Sequence, residues 1–202
     1  MASIYDIKPA FQSLLRPLVR LAAGRGVTAN QVTVAAVILS LAEGGAILRW
    51  PDARWPLLCL PLVLLLRMGL NAIDGMLARE HNMTTDLGAF LNELGDVISD
   101  AALYLPFAAI AGVSPPLIVG VVVLALMNEM AGVVAVQIGG ARRYDGPMGK
   151  SDRAAVFGVL GLALGLGFRG FLWVNLVLAG VVVLLVFTIV NRTRRALKEV
   201  SN

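Results

Sequence analysis

The stretch that decides the fold of this chain is NAIDGMLAR at residues 71–79, followed after eight residues by GAFLNELGD at residues 88–96. Each half belongs to an apolar segment, and each carries an aspartate, Asp74 in the first and Asp96 in the second. A charged side chain inside a membrane segment is costly and marks a functional candidate by default. The pair of segments therefore predicts a polar site built between two apolar helices.

The composition is that of a membrane protein. The 202 residues are 58% hydrophobic, with a mean hydropathy of +0.80, whereas soluble domains are about 45–50% apolar. The single cysteine, Cys59, excludes an intrachain disulfide framework, and the single histidine, His81, argues against zinc sites rich in histidine and a Ser-His-Asp triad. Acid–base chemistry must come from carboxylates.

The apolar segments predict an all-α, polytopic membrane fold with six transmembrane helices in a single domain, residues 1–202. Each segment has about the length that a bilayer requires. The predicted spans are residues 33–49, 56–79, 87–111, 115–138, 152–168 and 171–191. Residues 1–32 are predicted to be an interfacial and cytoplasmic segment with an amphipathic helix at 7–23, and residues 192–202 a cytoplasmic tail. Residues 28–33 supply capping-type side chains before the first span.

The distribution of basic residues sets the predicted orientation. With a cytoplasmic N-terminus, only Arg49, Arg54 and Arg169 fall near the outside, whereas thirteen basic residues fall inside. Those thirteen are Lys8, Arg16, Arg20, Arg25, Arg79, Arg142, Arg143, Lys150, Arg153, Arg192, Arg194, Arg195 and Lys198. We therefore expect a protein of the bacterial inner-membrane type with both termini and the polar site at the cytoplasmic face.

Several further charged residues fall within the predicted spans. Arg67, Asn71 and Asp74 share one helix face, as do Asn92, Asp96 and Asp100 on the next span, because their spacing follows the helical repeat. The three charges at mid-depth, Glu43, Arg67 and Glu129, are interpreted as a structural ion-pair set. Asp100 is the preferred partner for Arg67, because it extends the polar face of its helix toward the second span. The gates of a transporter are the alternative interpretation of such charges.

The quoted stretch resembles the motif of the CDP-alcohol phosphotransferase family, also called CDP-alcohol phosphatidyltransferases. That motif is D-x-x-D-G-x-x-A-R, eight residues, then G-x-x-x-D-x-x-x-D. Six of its eight fixed positions match with the spacing intact, namely Asp74, Gly75, Ala78, Arg79, Gly88 and Asp96. The two departures are both Asp to Asn, at Asn71 and Asn92. The six-span layout with a preceding interfacial helix is also similar to the family.

The resemblance implies a site that binds a divalent metal and a nucleotide. In the family the first three aspartates are metal ligands and the last is the proposed base. Carried over, Asp74 is a ligand and Asp96 is ligand and base for Mg²⁺ or Mn²⁺, while Asn71 and Asn92 offer neutral carbonyl oxygens. The two asparagines lower the four-position charge from −4 to −2, and Glu93 and Asp100 are candidates for restoring it. The implied nucleotide-binding residues are Asn71, Asp74, Gly75, Ala78, Arg79 and Gly88.

A second cluster of basic residues lies around the start of the fifth predicted span. It comprises Arg142, Arg143, Lys150 and Arg153. One interpretation is ordinary flanking charge on the cytoplasmic side. The other is a site for a phosphorylated acceptor or the lipid phosphate, because Gly149 and Lys150 open a helix whose N-terminal amides also bind phosphate.

The leading functional hypothesis is an integral-membrane phosphotransferase of phospholipid biosynthesis. It would move a phosphatidyl-type group from a CDP-activated lipid, such as CDP-diacylglycerol, to an alcohol acceptor, with release of CMP. The first alternative is a catalytically silent homologue that binds lipid or nucleotide as a membrane scaffold. A small transporter is the second alternative, although it leaves the motif spacing unexplained. The resemblance implies a homodimer among membrane lipids, and no nucleic-acid partner is expected.

Overall fold

A computed structural model describes residues 4–168 and 171–201, and the elements found there are helical. Seven α-helices are joined by short connections, with one 3₁₀ turn after the fourth helix. The helices are α1 Ile4–Gly24, α2 Ala29–Arg49, α3 Arg54–Glu80, α4 Asp86–Tyr104, α5 Pro115–Gln137, α6 Lys150–Leu166 and α7 Phe171–Val200, and the 3₁₀ turn is Leu105–Ala109. The all-α prediction is confirmed.

The helix starts follow local sequence signals. Thr28 caps α2 through a reciprocal pair of hydrogen bonds with Gln31, which satisfies two backbone donors that the first turn leaves free. Thr85 caps α4 by accepting from the Gly88 backbone N–H at 2.9 Å. The capping prediction for residues 28–33 is thus confirmed, and α2 begins four residues before the predicted first span.

Four helices in the described chain are long and apolar enough to cross a membrane, namely α2, α3, α5 and α7. The prediction of six such helices is therefore supported only in part. The third predicted span ended at 111, but α4 ends at Tyr104 and carries four acidic residues, Asp86, Glu93, Asp96 and Asp100. The fifth predicted span corresponds to α6, which has 17 residues and a length of about 25 Å at 1.5 Å per residue.

The helices form one bundle in which α2 packs on α3 and α4, α3 on α6, and α5 on α7. Close approach depends on small residues. A Cβ built on Gly44 of α2 would lie 1.9 Å from the backbone carbonyl oxygen of Ala102 in α4, so only glycine lets these two helices approach this closely. Aromatic rings fill the centre, where Tyr104 stacks on Phe157 with ring centroids 4.0 Å apart.

Helix α1 packs beside the bundle rather than within it. Its Val19 is buried in a small cluster with Met76 and Leu77 at the end of α3. The outward leucines of α1 remain exposed, with Leu14 73% accessible. One face on the protein and apolar side chains outside it are what an interfacial helix requires, and the interfacial position itself stays a prediction.

The C-terminal segment is a continuation of the last helix. Residues 192–202 were predicted to be a cytoplasmic tail, and α7 extends into them as far as Val200 without a break. The reason is that this last stretch binds the loop between α5 and α6. Buried Arg192 donates to the carbonyl of Asp145 at 3.2 Å and to the carbonyl of Asn128 at 2.7 Å, and Glu199 accepts from Arg143 and from the Ala141 backbone N–H.

One end of the bundle collects the polar residues. The start of α2 meets the end of α3, since Thr33 bonds Asp74, and the start of α6 meets α4, since Lys150 bonds Asp96. We call this the site end.

Candidate active site

The two halves of the motif meet at the site end. Asn71 of α3 donates through Nδ2 to Asp96 Oδ1 of α4 at 3.1 Å. Lys150, the first residue of α6, donates through Nζ to the same oxygen. Asn71, Asp96 and Lys150 thus bring three helices together, and we call these three residues the site layer. The Asp96 side chain is 26% exposed, so the layer is open to solvent.

Asp74 lies beside this layer on α3 and is nearly buried. Thr33 of α2 donates through Oγ1 to Asp74 Oδ2 at 2.8 Å, and its hydroxyl is also within 3.1 Å of the Ala29 carbonyl. The sequence argument treated Thr33 only as a capping residue and missed this contact. The sequence did hold an indication of this contact. Thr33 and Ser40 are seven residues apart in an apolar helix and so share one face, and the structure buries both of these polar residues.

The position of Lys150 is fixed by the residues before it. The Met148 carbonyl accepts from Asn128 Nδ2 at 3.1 Å, and the Met148 N–H donates to Thr188 Oγ1 at 3.0 Å; both bonds are buried. The Gly149 N–H donates to Asp152 at 2.9 Å, which closes the first turn of α6. Lys150 therefore extends from a chain segment that α5 and α7 hold in place.

The donor set suits one hard divalent ion. Asp74 and Asp96 are carboxylates, and Asn71 and Asn92 have carbonyl oxygens, which are the ligand types that Mg²⁺ and Mn²⁺ take. Both side-chain bonds of Asp96 use Oδ1, and within the described chain no hydrogen bond reaches Oδ2. No group of three or more His, Cys, Asp or Glu side chains that could hold a metal is assembled among the described residues.

The remaining motif residues have two kinds of surroundings. Arg79 is exposed and its guanidinium lies over Gly75, where a Cβ would be 3.0 Å from Nη2. Gly88 instead serves packing, because a Cβ there would lie 2.7 Å from Asn30 Oδ1 of α2. Ala78 is partly buried against the small cluster that contains Val19 of α1. Gly75 and Arg79 thus form the accessible part of the motif at the end of α3.

One helical turn deeper lies a second layer built from three charged residues. Arg67 of α3 donates through Nη1 to Asp100 Oδ1 at 2.6 Å. Arg153 of α6 donates to Asp100 Oδ2 through Nε at 3.0 Å and Nη2 at 2.7 Å. We call Arg67, Asp100 and Arg153 the arginine layer. The pairing of Arg67 with Asp100 that the sequence predicted is present, and Arg67 also donates to the Asp96 carbonyl at 3.1 Å.

The charged network continues into α5 and α7 through Glu129. This carboxylate lies 3.0 Å from Arg153, 3.5 Å from Arg142 and 3.7 Å from Arg192. Arg142 in turn binds Glu93 of α4 at 2.6 Å. A buried arginine in a membrane needs such partners, because its charge persists there.

Three predictions need correction. Arg153 was expected to face a phosphorylated acceptor, but its side chain is 0% exposed and bound to Asp100 and Glu129. Glu43 was expected in an ion-pair set with Arg67 and Glu129. It is buried, and its Oε1 has no hydrogen-bond partner among the described residues.

The third correction concerns the motif charge. Glu93 and Asp100 were candidates for restoring it, but Arg142 holds Glu93, and Arg67 with Arg153 holds Asp100. The other two residues of the basic cluster are also engaged. Arg143 binds Glu199 and lies 3.7 Å from Asp145. Lys150 is therefore the cation of that cluster that reaches the motif.

This geometry agrees with sequence comparison. The family model for CDP-alcohol phosphatidyltransferase matches residues 26–190, and the chain belongs to that family. It is similar to inner membrane protein YnbA of Escherichia coli K12, with 47% identity over 197 residues that cover 96% of each chain. These matches place the chain among integral-membrane proteins of that family.

Solved structures share the fold. The phosphatidylinositol phosphate synthase PgsA1 of Mycobacterium tuberculosis, in complex with manganese and citrate, superposes with a TM-score of 0.73 at 22% identity. That match covers 89% of this chain and 87% of the other. The same enzyme with CDP-DAG bound gives a TM-score of 0.69 at 22% identity, over 91% and 92% of the two chains.

Proposed function

We propose that this protein is a membrane phosphotransferase that moves a phosphatidyl-type group from a CDP-activated lipid to an alcohol and releases CMP. One observation carries the proposal. Asp74 and Asp96 come from two helices and lie at one end of the bundle in the spacing of the family motif, and the Asp96 side chain is 26% exposed. CDP-diacylglycerol is the donor that we expect, since a solved relative of the same fold was crystallised with CDP-DAG.

The proposed reaction is a displacement at phosphorus. The acceptor hydroxyl oxygen forms a bond to the phosphatidyl phosphorus, the bond from that phosphorus to the CMP oxygen breaks, and Asp96 takes the hydroxyl proton. Asp74 and Asp96, with the carbonyl oxygens of Asn71 and Asn92, would hold Mg²⁺ or Mn²⁺. A divalent ion at this position supplies neutralisation of pyrophosphate charge.

Substrate binding is assigned to the accessible residues around these carboxylates. Gly75 leaves space at the end of α3, where the exposed Arg79 offers a forked donor set to phosphate oxygens. The resemblance also assigns Asn71, Asp74, Ala78 and Gly88 to nucleotide binding, and of these Ala78 and Gly88 would act through the packing that shapes the site. Lys150 is the proposed acceptor-phosphate residue, since it is the one in contact with Asp96. Arg142 and Arg143, in the connection before it, would have to release Glu93 and Glu199 to bind the phosphate.

We also propose that α4 and α6 cross the membrane, which gives six spans with both termini and the site end in the cytoplasm. The outward face of α4 carries exposed Leu87, Phe90, Leu94 and Ile98 along its length, and Val159 of α6 is 65% exposed. Apolar outward faces of this kind fit lipid better than water. Following the family, we propose that the protein acts as a homodimer.

The test is a CMP-release assay on purified protein in detergent. CDP-diacylglycerol and Mg²⁺ or Mn²⁺ are supplied with glycerol phosphate, inositol phosphate or serine, and the lipid product is identified by mass spectrometry. We expect metal-dependent CMP release coupled to one lipid product. Absence of CMP release with every acceptor, from a protein that still binds the CDP-lipid, would overturn the proposal.

That negative outcome is the signature of a second candidate function, a silent homologue that binds lipid or nucleotide as a scaffold. One observation favours it. Asp96 Oδ1 already accepts from Asn71 and Lys150, so part of the reactive carboxylate is engaged within the protein. Binding of the CDP-lipid without turnover would support this second function.

A further inference from the structure

The asparagine at position 71 changes the contact between the two halves of the motif. Asn71 Nδ2 donates to Asp96 Oδ1 at 3.1 Å. An aspartate at the same position has no N–H to donate, and two carboxylates so close repel one another unless a cation lies between them. In this chain the two motif residues therefore bond directly, whereas a pair of aspartates would need a cation.

A cation is nevertheless present at Asp96, and it belongs to the protein. Lys150 Nζ binds the oxygen that accepts from Asn71, and Arg67 Nη2 lies 3.7 Å from it. With Asn71 and Asn92 uncharged, Asp74 and Asp96 contribute −2 and Lys150 contributes +1. The net charge of these residues is therefore −1. Glu93 and Asp100 lie nearby but add no free negative charge, because arginines bind both of them.

We propose that the site holds one divalent cation on Asp74 and Asp96, and that the ammonium group of Lys150 supplies at Asp96 the positive charge that a second cation would bring. This inference rests on the proposed phosphotransfer function. The position of Lys150 is built for such a role, because buried hydrogen bonds from Asn128 and Thr188 hold the adjacent Met148. A lysine that only flanked a membrane span would need no such support.

The experiment counts bound Mn²⁺ per chain in detergent-purified full-length protein by electron paramagnetic resonance and calorimetry, which report binding without turnover. We expect one ion per wild-type chain. Lys150→Met should bind Mn²⁺ about tenfold more tightly, because it removes a unit charge a few ångströms from the ion, while CMP release falls. Lys150→Arg, which keeps the charge, should retain the wild-type affinity.

Lys198→Met is the matched control, since Lys198 is an exposed lysine near the end of α7, and its Mn²⁺ affinity should equal that of wild type. The triple variant Asn71→Asp, Asn92→Asp, Lys150→Met should bind two ions. Wild-type protein that binds two ions, or none, overturns the inference. Unchanged affinity in Lys150→Met, or a folded triple variant that binds one ion, also overturns it. One bound ion without CMP release from any acceptor would instead refute the proposed function.

Discussion

Asp96 and Asp100 lie one turn apart on the same face of α4, and their surroundings differ. Asp100 is buried and receives three hydrogen bonds from the guanidinium groups of Arg67 and Arg153. Asp96 is 26% exposed and receives an amide and an ammonium group on one oxygen only. The carboxylate of Asp100 in the arginine layer thus has hydrogen bonds on both oxygens, whereas the carboxylate of Asp96 in the site layer remains partly exposed.

The difference follows from position along the bundle. Four residues separate the two carboxylates by about 6 Å along the helix axis. Helix α6 begins at the level of Asp96. One turn further on, at the level of Asp100, it supplies Arg153, which covers the Asp100 carboxylate. We infer that the arginine layer stabilises the helix arrangement on which the site layer is built.

The largest expected effect comes from breaking the site. Asp74→Asn removes one of the two carboxylates proposed to hold the divalent ion, so CMP release should fall to background. The control is Asp52→Asn, because Asp52 is exposed in the turn before α3. Near-normal turnover in Asp74→Asn would contradict the site assignment, provided that circular dichroism shows both variants folded.

Breaking the arginine layer should affect stability first. Asp100→Asn leaves Arg67 without its buried partner and weakens Arg153, at a cost of about 3–5 kcal/mol. Thermal unfolding in detergent, followed by tryptophan fluorescence, measures the loss. Adding Arg67→Met should recover part of it, because Arg153 still has Glu129. A double variant no more stable than the single one would rule out this account of the pairing.

A smaller effect is expected at the contact between α2 and the site. Thr33→Val removes the hydroxyl that donates to Asp74 at 2.8 Å, and a hydrogen bond to a charged group is worth about 1.5–3 kcal/mol. We therefore expect the free energy of unfolding to fall by about that amount, and the rate of CMP release to fall about tenfold because Asp74 is held less firmly. Thr33→Ser should restore the rate. Failure of serine to rescue would mean that Thr33 acts through packing alone.

The sequence predicted those parts of the site that depend on spacing within a helix or on a direct neighbour. Residues 74–79 and 92–96 were expected to meet at the ends of their helices, and Asn71, which shares a face with Asp74, does contact Asp96. The ion pair between Arg67 and Asp100 was also predicted, because one residue shares a face with Asn71 and the other with Asp96. Helical periodicity is sufficient for such inferences.

The remaining contacts depend on how the other helices are rotated and how far they extend. Arg153 was assigned to an acceptor or phosphate site and Arg192 to the predicted tail, but α6 and α7 turn both toward Glu129. Glu43 was assigned to an ion pair, but α2 directs it to a level of the bundle where it has no partner among the described residues. Periodicity gives the face of a helix, whereas the packing of α5, α6 and α7 decides what that face meets.

The most direct test of the account measures CMP release from CDP-diacylglycerol for Asp96→Asn and Asp100→Asn side by side, per mole of folded protein at low temperature. We predict that Asp96→Asn folds as stably as wild type and is about 10²–10⁴-fold slower, the range for loss of a general base. Asp100→Asn should be less stable but retain most of its activity while folded. An active Asp96→Asn, or a fully stable Asp100→Asn without activity, would contradict the assignment of catalysis to the site layer and of stability to the arginine layer.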